Sequence, residues 1–240
     1  MNESLKGQVA LITGGGKGIG FGIAKGLAAR GMRLALTGRD RTALETALAS
    51  LGGNGIAIRM DVRDEKSVKR GVEEAAAWGG GLHVLVNNSG IGVLETPLME
   101  TTHEVWRDVI ETNLTGAFMV TQAAWPLLTA SKGQVLNVSS IAGTQGFGGA
   151  SAYCASKHGL NGLTEVLKKE GAELGVRVLA ICPGAVDTDI WDEKWASKDN
   201  RERMMTADQI GEITAQMLGT PRNIELNSWI VVNAVSPWSA

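Results

Sequence analysis

Thr13-Gly14-Gly15-Gly16-Lys17-Gly18-Ile19-Gly20 joins an apolar run, Gln8–Thr13, to an amphipathic one, Gly18–Arg30. This is a strand-to-helix corner. Gly14 allows the chain to turn sharply, and Gly18 and Gly20 remove side chains where backbone must approach a ligand or pack on the strand. The helix that opens at Gly18 points free N–H groups and the positive end of its dipole at whatever lies in the corner. With Gly16, Lys17 and Ile19, the segment reads as a cradle for phosphate groups. Its spacing is Gly-x-x-x-Gly-x-Gly. It is not a Walker loop, because Lys17 is followed by Gly18. A tight structural corner would use the same glycines, so the rest of the chain decides between the two.

Outward from that corner, short apolar runs alternate with longer amphipathic ones. Strands are predicted at Gln8–Thr13, Met32–Gly38, Gly55–Met60, Leu82–Asn87, Gly133–Ser139, Val176–Cys182 and Ser228–Asn233. Helices are predicted at Gly18–Arg30, Asp40–Leu51, Glu65–Trp78, His103–Thr129, Ala152–Leu174, Trp191–Met204 and Ala207–Leu218. Val/Ile/Leu-rich strands separated by helices indicate a parallel sheet covered on both faces. The expected fold is α/β: a single-domain, doubly wound, seven-stranded parallel sheet (a Rossmann fold), with one dinucleotide-binding and catalytic domain over 1–240. The 240 residues, 44% hydrophobic, suffice for one such core.

The net charge of −2 and the lack of any basic block argue against nucleic acid as a partner. Cys154 and Cys182 have neither metal-ligand spacing nor a disulfide framework, and nothing else clusters as a metal site. The N-terminus lacks a signal-peptide core, and no apolar run reaches membrane-span length. A cytoplasmic protein without membrane contact is expected.

In a sheet of this type the tip of the second strand selects the dinucleotide. An acid there binds the ribose 2′-hydroxyl of NAD, whereas a nearby Arg accommodates the 2′-phosphate of NADP. Here the strand ends Thr37-Gly38-Arg39. Arg39 can hold a phosphate bidentately, and Lys17 offers a second cation. Asp40 falls one step late and suits a helix cap. NADP(H) is therefore expected over NAD(H). Asp61-Val62, past the third strand, would meet the adenine or simply enter the next helix.

The chain has one tyrosine, Tyr153, and Lys157 lies four residues on. On a helix these share a face, and a nearby cation favours the phenolate, so Lys157 is expected to lower the phenol's pKa and make it an acid/base. Ser139 and Ser140 close the preceding strand at its carboxyl end, where a hydroxyl can polarise a carbonyl. His83, His103 and His158 show no triad arrangement, and no Gly-x-Ser-x-Gly elbow occurs.

Together these residues resemble the short-chain dehydrogenase/reductase family over about residues 6 to 190. The resemblance rests on Thr13-Gly14-x-x-x-Gly18-x-Gly20, Asp61-Val62, Asn87-Asn88-Ser89-Gly90, Asn113, Ser140, Tyr153-x-x-x-Lys157 and Pro183-Gly184-Ala185-Val186-Asp187-Thr188. It implies that Tyr153 is the proton donor in carbonyl reduction and that Ser140, rather than Ser139, orients the carbonyl. Lys157 would hold the nicotinamide ribose, and Asn113, at a helix irregularity, would support a proton relay to Lys157. Asn88, Ser89 and Gly90 would border the riboses, and Pro183, Gly184, Val186 and Thr188 the nicotinamide carboxamide. Two departures stand out. Ser89 replaces the usual Ala, and the region of the last strand, Ile224–Asn233, lacks the family's Gly-Gly pair and resembles that of 3-ketoacyl-reductase-like and hydroxy-acid-dehydrogenase-like members.

The implied activity is reduction of a ketone or 3-oxoacyl group to the alcohol, reversibly. Trp191 and Trp195 lie in a charged, aromatic stretch, and residues 189–205 would form a lid over the substrate or pack as a surface helix. Gly90–Leu94 and Thr144–Phe147, with Gly146 and Phe147, are the other expected walls, and an apolar pocket favours a hydrophobic ketone or acyl chain. A regulatory NADP-binding protein is the alternative from another class, though it would not need an activated phenol. Epimerisation or dehydration by the same tyrosine is the third. The family's dimer interfaces lie on helices His103–Thr129 and Ala152–Leu174, so the resemblance implies a homodimer or homotetramer.

Overall fold

The computed structural model describes residues 4–191, 197–224, 226, 229–231 and 233. Strands β1 (Val9–Thr13), β2 (Arg33–Gly38) and β3 (Gly55–Arg59) are followed by β4 (Val84–Asn87), β5 (Gln134–Val138), β6 (Arg177–Pro183) and β7 (Trp229–Val231). Among the described residues these seven form one parallel sheet in the order β3-β2-β1-β4-β5-β6-β7. The helices are α1 (Gly18–Ala28), α2 (Arg41–Ser50), α3 (Glu65–Gly79), α4 (His103–Ile110), α5 (Gly116–Ser131), α6 (Ser151–Leu174), α7 (Lys198–Arg203) and α8 (Ala207–Gly219).

Every residue of β1 is buried, which is why that strand reads as unbroken apolar sequence. Its alternation still sorts side chains between two cores. Ala10 and Ile12 pack with Ile23 and Leu27 of α1, Leu44 of α2, and Ile210 and Leu218 of α8. Val9 and Leu11 pack with Val68 and Val72 of α3 and with Val120, Ala124 and Leu128 of α5. The doubly wound sheet follows: helices cover both faces, and the chain reverses direction across the sheet between β1 and β4. The carboxyl ends of those two strands therefore open a crevice.

Two segments differ from the sequence expectation. The pattern over His103–Thr129 is not one regular helix. It is α4, a π-helical turn at Glu111–Thr115 and α5, which runs five residues past Pro126. Of the predicted helix Trp191–Met204, Lys198–Arg203 is helical among the described residues, capped by Ser197, and residues 192–196 lie outside them.

The α1–α8 contact shows why Gly22 and Gly26 of α1 face Gly211 of α8. A Cβ on Gly211 would fall on the Gly22 carbonyl, one on Gly22 on the Ala207 carbonyl, and one on Gly26 at 2.5 Å from the Gly211 carbonyl. Backbone meets backbone here, so no side chain can move aside. Gly211→Val is expected to lower stability by about 3 kcal/mol through forced separation of the helices. The readout is a lower denaturant midpoint at unchanged slope, and an unchanged midpoint would show that the helices can part freely.

Candidate active site

The crevice is built from the glycine-rich corner upward. Gly14 and Gly18 adopt φ of +63° and +54°, in the left-handed region that favours glycine. Thr13 fastens the corner to β4: its hydroxyl accepts from the N–H groups of Asn88 and Ser89, both at 2.9 Å. Asn88 Nδ2 donates back to the carbonyls of Thr13 at 2.9 Å and Gly14 at 3.2 Å. A Cβ on Gly20 would strike both the Gly14 carbonyl and the Asn88 amide, so only glycine fits. Gly16 packs beside Leu44 of α2. Lys17 is the N-cap of α1 and makes no side-chain cap, so the opening N–H groups of Gly18, Ile19 and Gly20 face the crevice without one.

At the far end of the crevice, Arg39 follows the tip of β2 and is exposed. Asp40 caps α2, its carboxylate accepting from Ala43 N at 3.1 Å. It therefore serves the helix, as its position suggested. Asp61 is bound by Arg63, whose Nη2 lies 3.2 Å from Oδ2. Partial burial pushes the Asp61 carboxyl up, but the hydrogen bonds and charge of Arg63 outweigh it and hold the group below its ordinary value. Val62 is buried against Gly116. The exposed Lys17 ammonium pairs with Asp189 at 2.9 Å, a long-range acid that no local pattern discloses.

Beyond β5 the reacting centre assembles. Ser140 opens a short 3-10 turn, Ile141–Gly143, and its hydroxyl accepts from Ala142 N at 3.1 Å. The same hydroxyl donates to Pro183 O at a long 3.4 Å and lies against the Tyr153 phenol. Ser139 is turned away, buried, and donates to the Lys157 carbonyl at 3.4 Å. The ambiguity between the two serines is thus resolved by geometry: only Ser140 meets the phenol.

Tyr153 and Lys157 lie one turn apart on α6, but their electrostatics differ from expectation. Lys157 Nζ donates to Val138 O at 2.9 Å and sits 5.7 Å from the Tyr153 ring centroid. Burial drives the phenol above its ordinary value, and the Ser140 hydrogen bond only partly opposes this. The phenol is therefore held as a phenol, not as a phenolate. Burial also lowers the Lys157 ammonium to about 8. Sequence spacing gave the proximity correctly but not the desolvation that wins over it.

Asn113 occupies the π-turn, so the expected helix irregularity is present. Its Oδ1 accepts from Ile91 N at 2.8 Å, while Nδ2 donates to Ile91 O at 2.9 Å and Ser156 Oγ at 3.1 Å. It ties the loop after β4, beside Gly90, to α6. The extra residue of the π-turn re-aims the side chain inward.

On the third side, Pro183-Gly184-Ala185-Val186 leaves β6. Gly184 N donates to Val231 O at 2.7 Å, and Val186 bridges to Met205. Asn233, unassigned by sequence, grips this segment through Ala185 N at 3.1 Å and Ala185 O at 3.0 Å. Thr188 touches Gly18, and Ile190 touches Gly92, so this loop meets both the glycine corner and the loop after β4. Trp191 is half-buried, and its indole N–H donates to Val186 O at 2.9 Å. Trp195 lies outside the described residues. Leu94 and Tyr153 pack on Ala142, Ala150 and Cys154. Phe147 is exposed, and Gly146 has open space around it.

Among the described residues no group of His, Cys, Asp and Glu could hold a metal ion. Cys154 and Cys182 are free, buried thiols. No helix among them is long and apolar enough to cross a membrane. A hollow lined by Leu5, Arg30 and Gln216 lies at the opposite, amino-terminal edge of the sheet, away from every group described above.

Residues 8–199 match the sequence profile of the short chain dehydrogenase family. This chain belongs to that family. It is 34% identical over 222 residues to the 3-oxoacyl-[acyl-carrier-protein] reductase FabG of Vibrio cholerae, covering 92% of this chain and 88% of that one. Among solved structures, a dehydrogenase/reductase from Sinorhizobium meliloti superposes with a TM-score of 0.86 at 30% identity, covering 95% and 96% of the two chains. An alcohol dehydrogenase from Thermococcus sibiricus, complexed with 5-hydroxy-NADP, gives 0.84 at 26% identity over 93% and 95%. The short-chain dehydrogenase is thus an oxidoreductase acting on a carbonyl–alcohol pair.

Proposed function

We propose that this short-chain dehydrogenase reduces a ketone or 3-oxoacyl substrate with NADP(H), with Tyr153 as the proton donor. The observation that carries it is the Ser140 hydroxyl lying against the Tyr153 phenol at the carboxyl end of β5, beside the glycine-rich corner. The corner fits a dinucleotide: Gly20 leaves no room for a Cβ, Gly14 turns at a positive φ, and Lys17 leaves the α1 N–H groups uncapped. Gly14, Gly16, Gly18, Ile19 and Gly20 would hold the pyrophosphate, Arg39 the 2′-phosphate, and Asp61, Val62, Asn88, Ser89 and Gly90 the adenosine side. Pro183, Gly184, Val186 and Thr188 would hold the nicotinamide. When bound, the reduced dinucleotide supplies the hydride.

The chain supplies everything else. Ser140 redirects its long donation from Pro183 O to the substrate oxygen and stabilises the charge that develops there. Tyr153, kept protonated by burial, gives that oxygen its proton. Lys157 provides a positive charge behind the phenol, and Asn113 fixes the loop after β4 against α6. Leu94, Phe147, Ile190 and Trp191 give the mouth an apolar lining, which supports a hydrophobic ketone or acyl chain. Of the segment 189–205 expected as a lid, residues 192–196 lie outside the described residues, while Ile190 lies beside Gly92 and Trp191 bonds Val186 O. The exposed Trp106, Phe118 and Val166, on α4, α5 and α6, support a homo-oligomer through these helices.

The test is a panel of ketones and 3-oxoacyl thioesters offered with NADPH and NADH separately, following loss of reduced dinucleotide. NADPH-dependent turnover of members of the panel is expected. Tight NADPH binding with no turnover of any carbonyl would overturn the reading in favour of a nucleotide-binding regulator.

A further inference from the structure

Lys17, one cation expected at the 2′-phosphate, pairs with Asp189 on the exposed rim of the glycine-rich corner. A further cation lies on the neighbouring strand pair. β2 and β3 pair so that Gly38 lies opposite Arg59. Arg59 Nε donates to the Arg39 carbonyl at 3.3 Å, which tethers its guanidinium to the very residue assigned to the phosphate. One of its five donors is used, and the rest remain available.

The nearby carboxylates are bonded elsewhere, although Asp61 also lies within the field of Arg39. Arg41 is engaged by Glu45 at 2.8 Å, and Arg63 by Asp61. Asp40 is spent on capping α2. Arg39 and Arg59 form no ion pair with a carboxylate among the described residues, and both are exposed. The Arg59 guanidinium is thus held at the backbone of the residue that follows the tip of β2. A phosphate monoester accepted there by both side chains gains two charge-assisted contacts.

We propose that Arg59 is a specificity-determining residue, the second guanidinium for the 2′-phosphate of NADP(H), an inference that rests on the NADP(H) reading above. NAD, which lacks that phosphate, gains nothing from it.

Dissociation constants for NADP+ and NAD+ are to be measured by titration calorimetry on the wild type, Arg59→Gln, Arg59→Lys and Arg39→Gln. Arg59→Gln is expected to weaken NADP+ about tenfold, as for loss of a hydrogen bond to a charged group, and to leave NAD+ within about twofold. Arg59→Lys retains part of the NADP+ affinity. Retained NAD+ binding shows that each variant is folded. If Arg39→Gln weakens NADP+ selectively but Arg59→Gln is silent, or weakens both dinucleotides equally, the assignment of Arg59 is overturned. If the wild type itself binds NADP+ and NAD+ equally, the NADP(H) reading falls, and this inference falls with it.

Discussion

Tyr153→Phe is expected to lower kcat for carbonyl reduction by about a thousandfold, within the range for losing a positioned general acid. Dinucleotide affinity should change by less than about twofold, because the variant removes one hydroxyl and leaves the ring packed on Ala142, Ala150 and Cys154. A fall in kcat with little change in dinucleotide binding identifies a group used in the transition state. The phenol suits this role because burial keeps it protonated through neutral pH. Tyr153 is also the chain's one tyrosine, so its ionisation can be followed spectroscopically without competitors. The titration midpoint is expected above the ordinary value near 10. Turnover retained in Tyr153→Phe would remove Tyr153 as the acid, whatever its titration shows.

The fold was legible because its signals are local and redundant. Unbroken apolar runs marked strands buried on both faces, and a glycine cluster directly after the first of them marked the corner of the crevice. The helix irregularity at Asn113 was not legible from periodicity. A π-turn inserts one residue without altering composition, and only the family resemblance pointed to it. The choice of Ser140 over Ser139 was open from the residues for a similar reason. Adjacent serines at a strand end face opposite ways, and the turn that follows decides which meets the phenol.

What sequence missed is long-range or desolvational. Lys17 meets Asp189 across 172 positions, and Arg59 meets Arg39 across a strand pair. Asn233 grips Ala185 from the end of the chain. None of these leaves a spacing to read. The direction of the Tyr153 shift was misjudged because spacing reports a neighbouring cation, whereas burial is a property of the whole packed site.

Lys157 carries the second large effect, and its sign follows from burial. Its ammonium is lowered from the ordinary lysine value to about 8, so the charged form holds below that pH and is lost above it. The charge favours the phenolate, and thus makes Tyr153 a stronger acid whenever it is present. Reduction should therefore be fastest below about 8 and decline as the pH rises through that value. Lys157→Met removes the charge at every pH. It is expected to lower kcat by about a hundredfold, comparable to the loss of one electrostatic contact in an active site, and to abolish the decline near that pH. The variant should also raise KM for NADPH, since Lys157 is proposed to hold the nicotinamide ribose; a purely structural residue would not produce all three changes together. Folding is expected to survive. The Val138 carbonyl loses its donor, but a buried charge is removed in exchange, and methionine fills the same unbranched space. The same pH break in Lys157→Met as in the wild type would place the titrating group elsewhere and leave Lys157 as a packing residue.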